Sequence, residues 1–187
     1  MTAFARTDLS QLGRWWWTVD RWMLAALITL TVFGVVLAMA ASPAVADRLG
    51  LDQFHFVRRQ FVFMPLALGV MFAVSLLDAA RVRLLALVVF LAALALMAAT
   101  PLMGIEIKGA TRWIGIGGFS IQSSEFVKPG FAVLTAWVFA AWRTREGYPG
   151  HLFGIGLYLV VVALLLAQPD VGMTILVSVV WGVQFFL

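Results

Sequence analysis

The chain has 187 residues, 63% of them hydrophobic and only 12% charged, with a formal net charge of +4 and a mean hydropathy of +1.01. A soluble domain is closer to half apolar and a quarter charged, and a domain this small exposes too much surface to hide the excess. Lipid can accommodate it. The absence of cysteine excludes a disulfide framework and a Cys-based zinc or redox site. His55 and His151 lie too far apart for metal-ligand spacing, and the basic residues, scattered between apolar runs, form no stripe for nucleic acid.

The chain opens on a Trp- and Arg-rich leader, residues 1–21, carrying Arg6, Arg14 and Arg21 with Trp15, Trp16 and Trp17. These indoles and Trp22 suit an interfacial anchor, and a membrane-associated helix that docks a partner is the alternative. A span needs about 20 apolar residues to cross about 30 Å of hydrocarbon. Six segments meet or approach this: Trp22–Ala41, Gln60–Leu77, Leu84–Met103, Phe126–Trp142, Leu152–Ala167 and Val171–Leu187. The expected fold is therefore all-α, a polytopic transmembrane helical bundle over residues 22–187.

Ala44-Val45-Ala46 after the first apolar run also resembles a signal-peptide cleavage site. The run exceeds the roughly 7–15 apolar residues typical of such a segment, so it is read as a span. Short Arg-bearing turns at Asp78–Arg83 and Arg143–His151 place the N-terminus in the cytoplasm. The sixth run reaches Leu187 without a polar tail, so the chain is read as the N-terminal part of a longer protein.

The external loop 104–125 follows the third span and carries Lys108, Arg112, Trp113, Gly115, Gly117, Gly118, Gln122, Ser123, Ser124 and Glu125. By itself it reads as a solvated hairpin between two helices. Its glycines lack the strand–turn–helix context of a dinucleotide site, and no Gly-Lys-Ser/Thr follows for a phosphate loop. Lys128 lies a few residues inside the fourth span, where an ammonium costs about 2.5–3.5 kcal/mol near the bilayer centre and less where it can snorkel. Glu125, three residues earlier, shares its helical face. Pro129 cannot donate to the Glu125 carbonyl, so Gln122–Lys128 is read as a kinked or irregular lead-in to the helix. A second polar break, Gln168-Pro169-Asp170-Val171-Gly172, joins the last two spans, and Asp170 is placed to cap the sixth. Arg58, Arg59, Lys108, Arg112, Lys128, Glu125 and Asp170 then fall on one side of the membrane, a set suited to an anionic, phosphate-bearing amphipathic substrate.

These motifs together resemble the SEDS family, which comprises FtsW, RodA and their sporulation relatives. The resemblance rests on Lys108-Gly109-Ala110-Thr111-Arg112-Trp113-Ile114, the Gly-rich turn, Phe119–Glu125 with Lys128, and Gln168-Pro169-Asp170-Val171-Gly172. Asp20-Arg21-Trp22 and Arg58-Arg59-Gln60 also fit, so it covers the chain from about Asp20 onward. Two positions depart from the family pattern. Thr111 stands where a basic residue is common, and Ser123 where proline is common.

The resemblance implies about ten transmembrane helices in the bacterial cytoplasmic membrane. It implies a peptidoglycan glycosyltransferase that polymerises lipid II, a disaccharide-pentapeptide on undecaprenyl pyrophosphate, as the acceptor hydroxyl attacks the donor anomeric carbon. Arg112 and Lys128 are then expected at phosphate, Glu125 orienting Lys128, and Gln168 and Asp170 shaping the cavity. Trp113, Gln122 and Ser124 complete the expected substrate-binding set. The catalytic aspartate of the family is expected beyond Leu187, which would leave this chain alone inactive. No cofactor is implied with certainty, and a divalent metal stays open. Implied partners are a class B penicillin-binding transpeptidase and septal division proteins, since the leader and the loop look more like the division-type, FtsW-like members than the elongation-type, RodA-like ones. A lipid II flippase using the same cavity, and a non-catalytic scaffold, are the rival readings.

Overall fold

The computed structural model describes residues 10–107, 110–116 and 119–187. The chain divides into two compact units, Met1–Asp78 and Ala79–Leu187.

The first unit contains α1 (Gln11–Thr18), α2 (Arg21–Arg48) and α3 (His55–Ser75). Ser10 caps α1 by accepting from the Gly13 amide, and Asp20 caps α2 by accepting from the amides of Trp22 and Met23. Both satisfy donors that a helix start leaves open. Trp15 is tied into the fold of this unit. Its indole N–H donates to Ser75 Oγ at 2.8 Å and its ring meets Phe72 edge-on, which docks α1 onto the last turn of α3. Trp22, by contrast, is 86% exposed. At 28 residues α2 is about 42 Å long, well beyond the hydrocarbon thickness. Ala44-Val45-Ala46 lies inside it, and Ser42 Oγ ties its end to the Gln53 carbonyl.

The second unit contains α4 (Ala79–Met103), strands β1 (Ile105–Ile107), β2 (Ala110–Ile116) and β3 (Phe119–Gln122), then α5 (Ser123–Thr144), α6 (Gly150–Ala167) and α7 (Val171–Phe186). Its core joins Phe90, Ala93 and Met97 of α4 to Val127, Phe131 and Leu134 of α5, with Val161 and Leu165 of α6 and Val177 of α7. Helix α5 is central and packs on α4, α6 and α7. Its buried positions recur every three or four residues, from Ser123 and Ser124 through Val127, Phe131, Leu134 and Val138, the spacing of one helical face.

Among the described residues four helices, α2, α3, α4 and α6, are long and apolar enough to cross a membrane, and α7 is a shorter apolar helix. Helix α5 is not among them, although its segment reads as a span. Glu125, Lys128 and Arg143 lower its apolarity; Thr135 is buried against neighbouring helices, whereas Glu125 and Arg143, near its two ends, stay exposed.

Two local expectations are corrected. Within the loop 104–125, the described residues 105–107, 110–116 and 119–122 form a three-stranded antiparallel sheet in the order β1-β2-β3, with Trp113 opposite Gln122 and Ile114 opposite Ile121, and α5 already begins at Ser123. Trp113, Ile114 and Ile121 are residue types that favour extended pairing. The stretch before Pro129 is regular helix from Ser123 onward. Pro129 removes a single backbone bond close to the helix start, where only a turn and a half of helix precedes the ring, and tertiary packing of that turn outweighs the loss.

Glycines set the helix spacing where backbones approach closely. A Cβ on Gly130 would lie 2.8 Å from Phe90 Cβ and 3.1 Å from the Ala86 carbonyl oxygen, whereas one on Gly182 would meet nothing within 4 Å. Gly130→Val is therefore expected to destabilise the bundle by roughly 1–3 kcal/mol. Gly182→Ala is expected to leave it unchanged or slightly firmer. Thermal unfolding in detergent micelles distinguishes the two, and equal effects would contradict the packing described.

Candidate functional site

The α6–α7 turn is the organising element of the site. It is built from Gln168, Pro169 and Asp170, at the junction where α6 ends and α7 begins. The Gln168 and Asp170 amides both donate to the Leu165 carbonyl, at 3.2 and 2.9 Å, which closes the C-terminus of α6. Asp170 caps α7 as the sequence suggests, accepting from the Met173 amide at 3.3 Å, while Thr174 Oγ1 donates to its carbonyl at 2.8 Å.

Arg112, on β2, clamps this turn from the meander. Its Nε donates to the Gln168 carbonyl at 3.1 Å and its NH2 group to the Pro169 carbonyl at 2.5 Å. NH1 lies 3.8 Å from Asp170 Oδ1. The planar fork fits adjacent acceptors in a way that a single ammonium cannot reproduce. The other Asp170 oxygen, Oδ2, accepts from Gln122 Nε2 at 3.3 Å, and the same nitrogen donates to Ser124 Oγ at 3.0 Å. The Asp170 side chain is 7% exposed and that of Arg112 33%. The charge pair thus has a buried acidic end and a basic end that still reaches the surface.

Arg112, Gln122, Ser124, Gln168 and Asp170 are therefore brought into one hydrogen-bonded cluster. Trp113 is half-buried beside it on β2, paired through its backbone with Gln122. Lys128 and Glu125 form a separate local pair on α5, with Lys128 Nζ 2.5 Å from Glu125 Oε2 and both groups partly exposed. Arg58, in the first unit, pairs with Asp52 at 3.2 Å on an exposed surface. Lys108, Gly117 and Gly118 lie outside the described residues.

Two members escaped the sequence reading. Thr100, fully buried on α4, has its Oγ1 3.4 Å from Ser123 Oγ, and Met97 offers its main-chain carbonyl to Gln168 Nε2 at 2.9 Å. Thr100 is the polar interruption of an otherwise apolar span, which was the available signal. The role of Met97 is carried by its backbone and has no side-chain signature. Gln168 is 2% exposed and its Oε1 has no hydrogen-bond partner in the described structure. Among the described residues no group of three or more His, Asp or Glu is gathered to hold a metal ion.

Apolar spans with a charged, hydrogen-bonded cluster at the junction of two helices define a polytopic membrane protein with a polar site built into a helical bundle. Comparison with known proteins makes the class specific. The sequence model of the FtsW/RodA/SpoVE family, described as cell cycle proteins, matches residues 20–187, and the chain belongs to that family. It is 46% identical over 186 residues to a protein of Caulobacter vibrioides named "probable peptidoglycan glycosyltransferase FtsW", covering 99% of this chain and 48% of the relative. A protein of the same name from Alcanivorax borkumensis is 34% identical over 176 residues, covering 90% and 45%. The crystal structure of the rod shape determining protein RodA of Thermus thermophilus is similar with a TM-score of 0.58 and 32% identity, over 78% of this chain and 49% of that one. A chain from a peptidoglycan synthase complex described as coordinating polymerization and crosslinking is similar at a TM-score of 0.57 and 30% identity, over 78% and 44%. The chain spans about half the length of the curated relatives it matches.

The cluster makes a stability prediction that depends on charge and shape separately. Asp170→Ala removes the α7 cap, takes one of two acceptors from Gln122 and strips Arg112 of its counter-ion, and should cost roughly 1–3 kcal/mol. Asp170→Asn keeps an oxygen for the cap and should cost less. Denaturation of both variants in micelles is the check, and an asparagine variant as unstable as the alanine one would show that charge, not capping, dominates.

Proposed function

We propose that this chain forms part of a peptidoglycan glycosyltransferase that polymerises lipid II during septal cell-wall synthesis. Support comes from the names carried by relatives that match 99% and 90% of the chain and, independently, from the cluster of Arg112, Gln122 and Asp170 at the α6–α7 turn. The cluster is the observation that carries the reading on physical grounds. Lipid II joins a polyprenyl tail to a pyrophosphate, and a polar site set in an apolar bundle suits both ends of such a molecule.

In this reading Arg112 has two tasks. Two of its donor groups hold the turn carbonyls, and NH1, beyond hydrogen-bond distance of Asp170 Oδ1 at 3.8 Å on a one-third exposed side chain, is available to meet phosphate oxygens. Lys128 supplies a second cation, held in orientation by Glu125. Both would stabilise the negative charge that develops on the departing lipid pyrophosphate as the acceptor hydroxyl attacks the donor anomeric carbon. Gln122 and Ser124 support Asp170, Trp113 offers a half-buried ring beside the site, and Gln168 shapes its floor. None of these residues is assigned as the base that activates the acceptor.

The same reading places the protein in the bacterial cytoplasmic membrane with its N-terminus in the cytoplasm, supported by the short Arg-bearing segments around Arg81, Arg83, Arg143 and Arg145. A class B transpeptidase is the proposed partner, in line with the similar chain from a complex that couples polymerization to crosslinking. Septal division proteins are proposed from the FtsW names of the relatives.

The test is lipid II polymerisation in vitro by the full-length parent with its transpeptidase. Wild type should build glycan chains, and Lys128→Ala and Arg112→Gln should each lose at least about tenfold, the effect of one charge-assisted contact worth about 1.4 kcal/mol. The 187-residue chain alone should build none. If wild type instead carries lipid II across liposome membranes without making chains, the protein is a lipid transporter and the polymerase reading is wrong.

A further inference from the structure

We infer that Gln168 is a positioning residue whose side-chain amide replaces the helical hydrogen bond that Pro101 removes from α4, and that this replacement fixes the turn bearing Asp170.

In an α-helix each N–H donates to the carbonyl four residues back, and proline has no N–H to give. Pro101 lies inside α4, so the carbonyl it leaves without a helical donor is that of Met97. Met97 is fully buried, which keeps solvent from serving the orphaned oxygen. The donor that arrives is Gln168 Nε2, 2.9 Å away and 71 residues on in sequence. The amide orientation follows from this contact, because turning Oε1 toward Met97 would set two acceptors against each other.

One residue thereby joins three segments. The Gln168 side chain holds α4, its backbone amide closes α6 on Leu165, and its carbonyl receives Arg112 Nε of β2 at 3.1 Å. Asp170 follows two residues later, so the placement of its carboxylate against Arg112 and Gln122 depends on where Gln168 is pinned. A glutamine fits this task because its amide can donate at the end of an uncharged side chain flexible enough to reach a neighbouring helix.

The inference separates two consequences of losing the amide. An unpaired buried carbonyl on Met97 lowers stability, whereas an untethered turn misplaces the anion-facing groups. The Pro101→Ala substitution gives Met97 its own helical donor and cures only the first. The experiment uses the full-length protein as wild type, Gln168→Leu, Pro101→Ala and the double variant. The readouts are the thermal unfolding midpoint in micelles and KM and kcat for lipid II polymerisation.

Gln168→Leu should lower the midpoint by several degrees and raise KM about tenfold, an effect of the size of one buried hydrogen bond, with a smaller change in kcat. Pro101→Ala alone should stay near wild type in both. The double variant should regain at least half of the lost midpoint yet keep the raised KM. If Gln168→Leu lowers the midpoint equally with and without Pro101→Ala, the pairing is overturned. An unchanged KM in Gln168→Leu, or a KM restored to the wild-type value in the double variant, would reduce Gln168 to a packing residue. Where Gln168→Leu does not fold, Gln168→Met takes its place in the same four-way comparison, and recovery of folding by Pro101→Ala supports the pairing directly. The KM arm rests on the polymerase reading; if wild type makes no chains, that reading fails by itself, and lipid II binding affinity replaces KM while the midpoint arm still decides the pairing.

Discussion

Lipid offers no hydrogen bonds, so each polar group at membrane depth has to find its partner inside the protein. The second unit is arranged around that constraint. Thr135 on α5 donates to Gln184 of α7, whose amide nitrogen donates back to the Ala132 carbonyl. Tyr158 and Ser178 share a bond between α6 and α7, and the Trp181 indole donates to the Gly154 carbonyl across the same pair. Each link is worth only about 0.5–1.5 kcal/mol net, but the penalty for leaving one partner bare is larger. The links therefore fix register: a helix that slipped by one residue would lose several of them together.

The candidate site extends this internal pairing to charge. An aspartate at a helix start would meet α7's exposed amides even alone, but here it also faces a guanidinium that is already committed to the two preceding carbonyls. The positive end of α7, Asp170 and Arg112 thus form a nearly neutral assembly at the turn, with its basic edge turned outward. The guanidinium is the exposed part of the pair, and the carboxylate is the buried one. Lys128 and Glu125 form a second pair whose exposed carboxylate can rearrange at low cost, because surface ion pairs are weak.

The sequence revealed the class more readily than the geometry. Long runs such as Trp22–Ala41 and Leu84–Met103 announce membrane helices by length and composition, and Asp170 announces a cap by residue type and place. The meander between α4 and α5 was less legible. Its strands are short, and Gly115, Gly117 and Gly118 read as a tight turn in a solvated hairpin. Pro129 misled, because the local rule that discourages helix before proline gave way to packing of Ser123, Ser124 and Val127 in the buried face. Gln168 was found by the resemblance of its motif, but its partner was not. A main-chain carbonyl on Met97 leaves no trace in composition, and only Pro101 hinted that an acceptor nearby lacked its donor.

The central position of α5 bears on how the protein is made. A translocating channel releases each segment into lipid according to its own partitioning, and α5 carries Glu125, Lys128 and Arg143 along a stretch that also contains Thr135 and Pro129. On its buried face Ser123 meets Thr100 of α4, and Thr135 donates to Gln184 of α7. The helix that organises the unit is thus the one least able to commit to the bilayer alone. The partners that it lacks in lipid are supplied by α4, α6 and α7, the helices that it packs against.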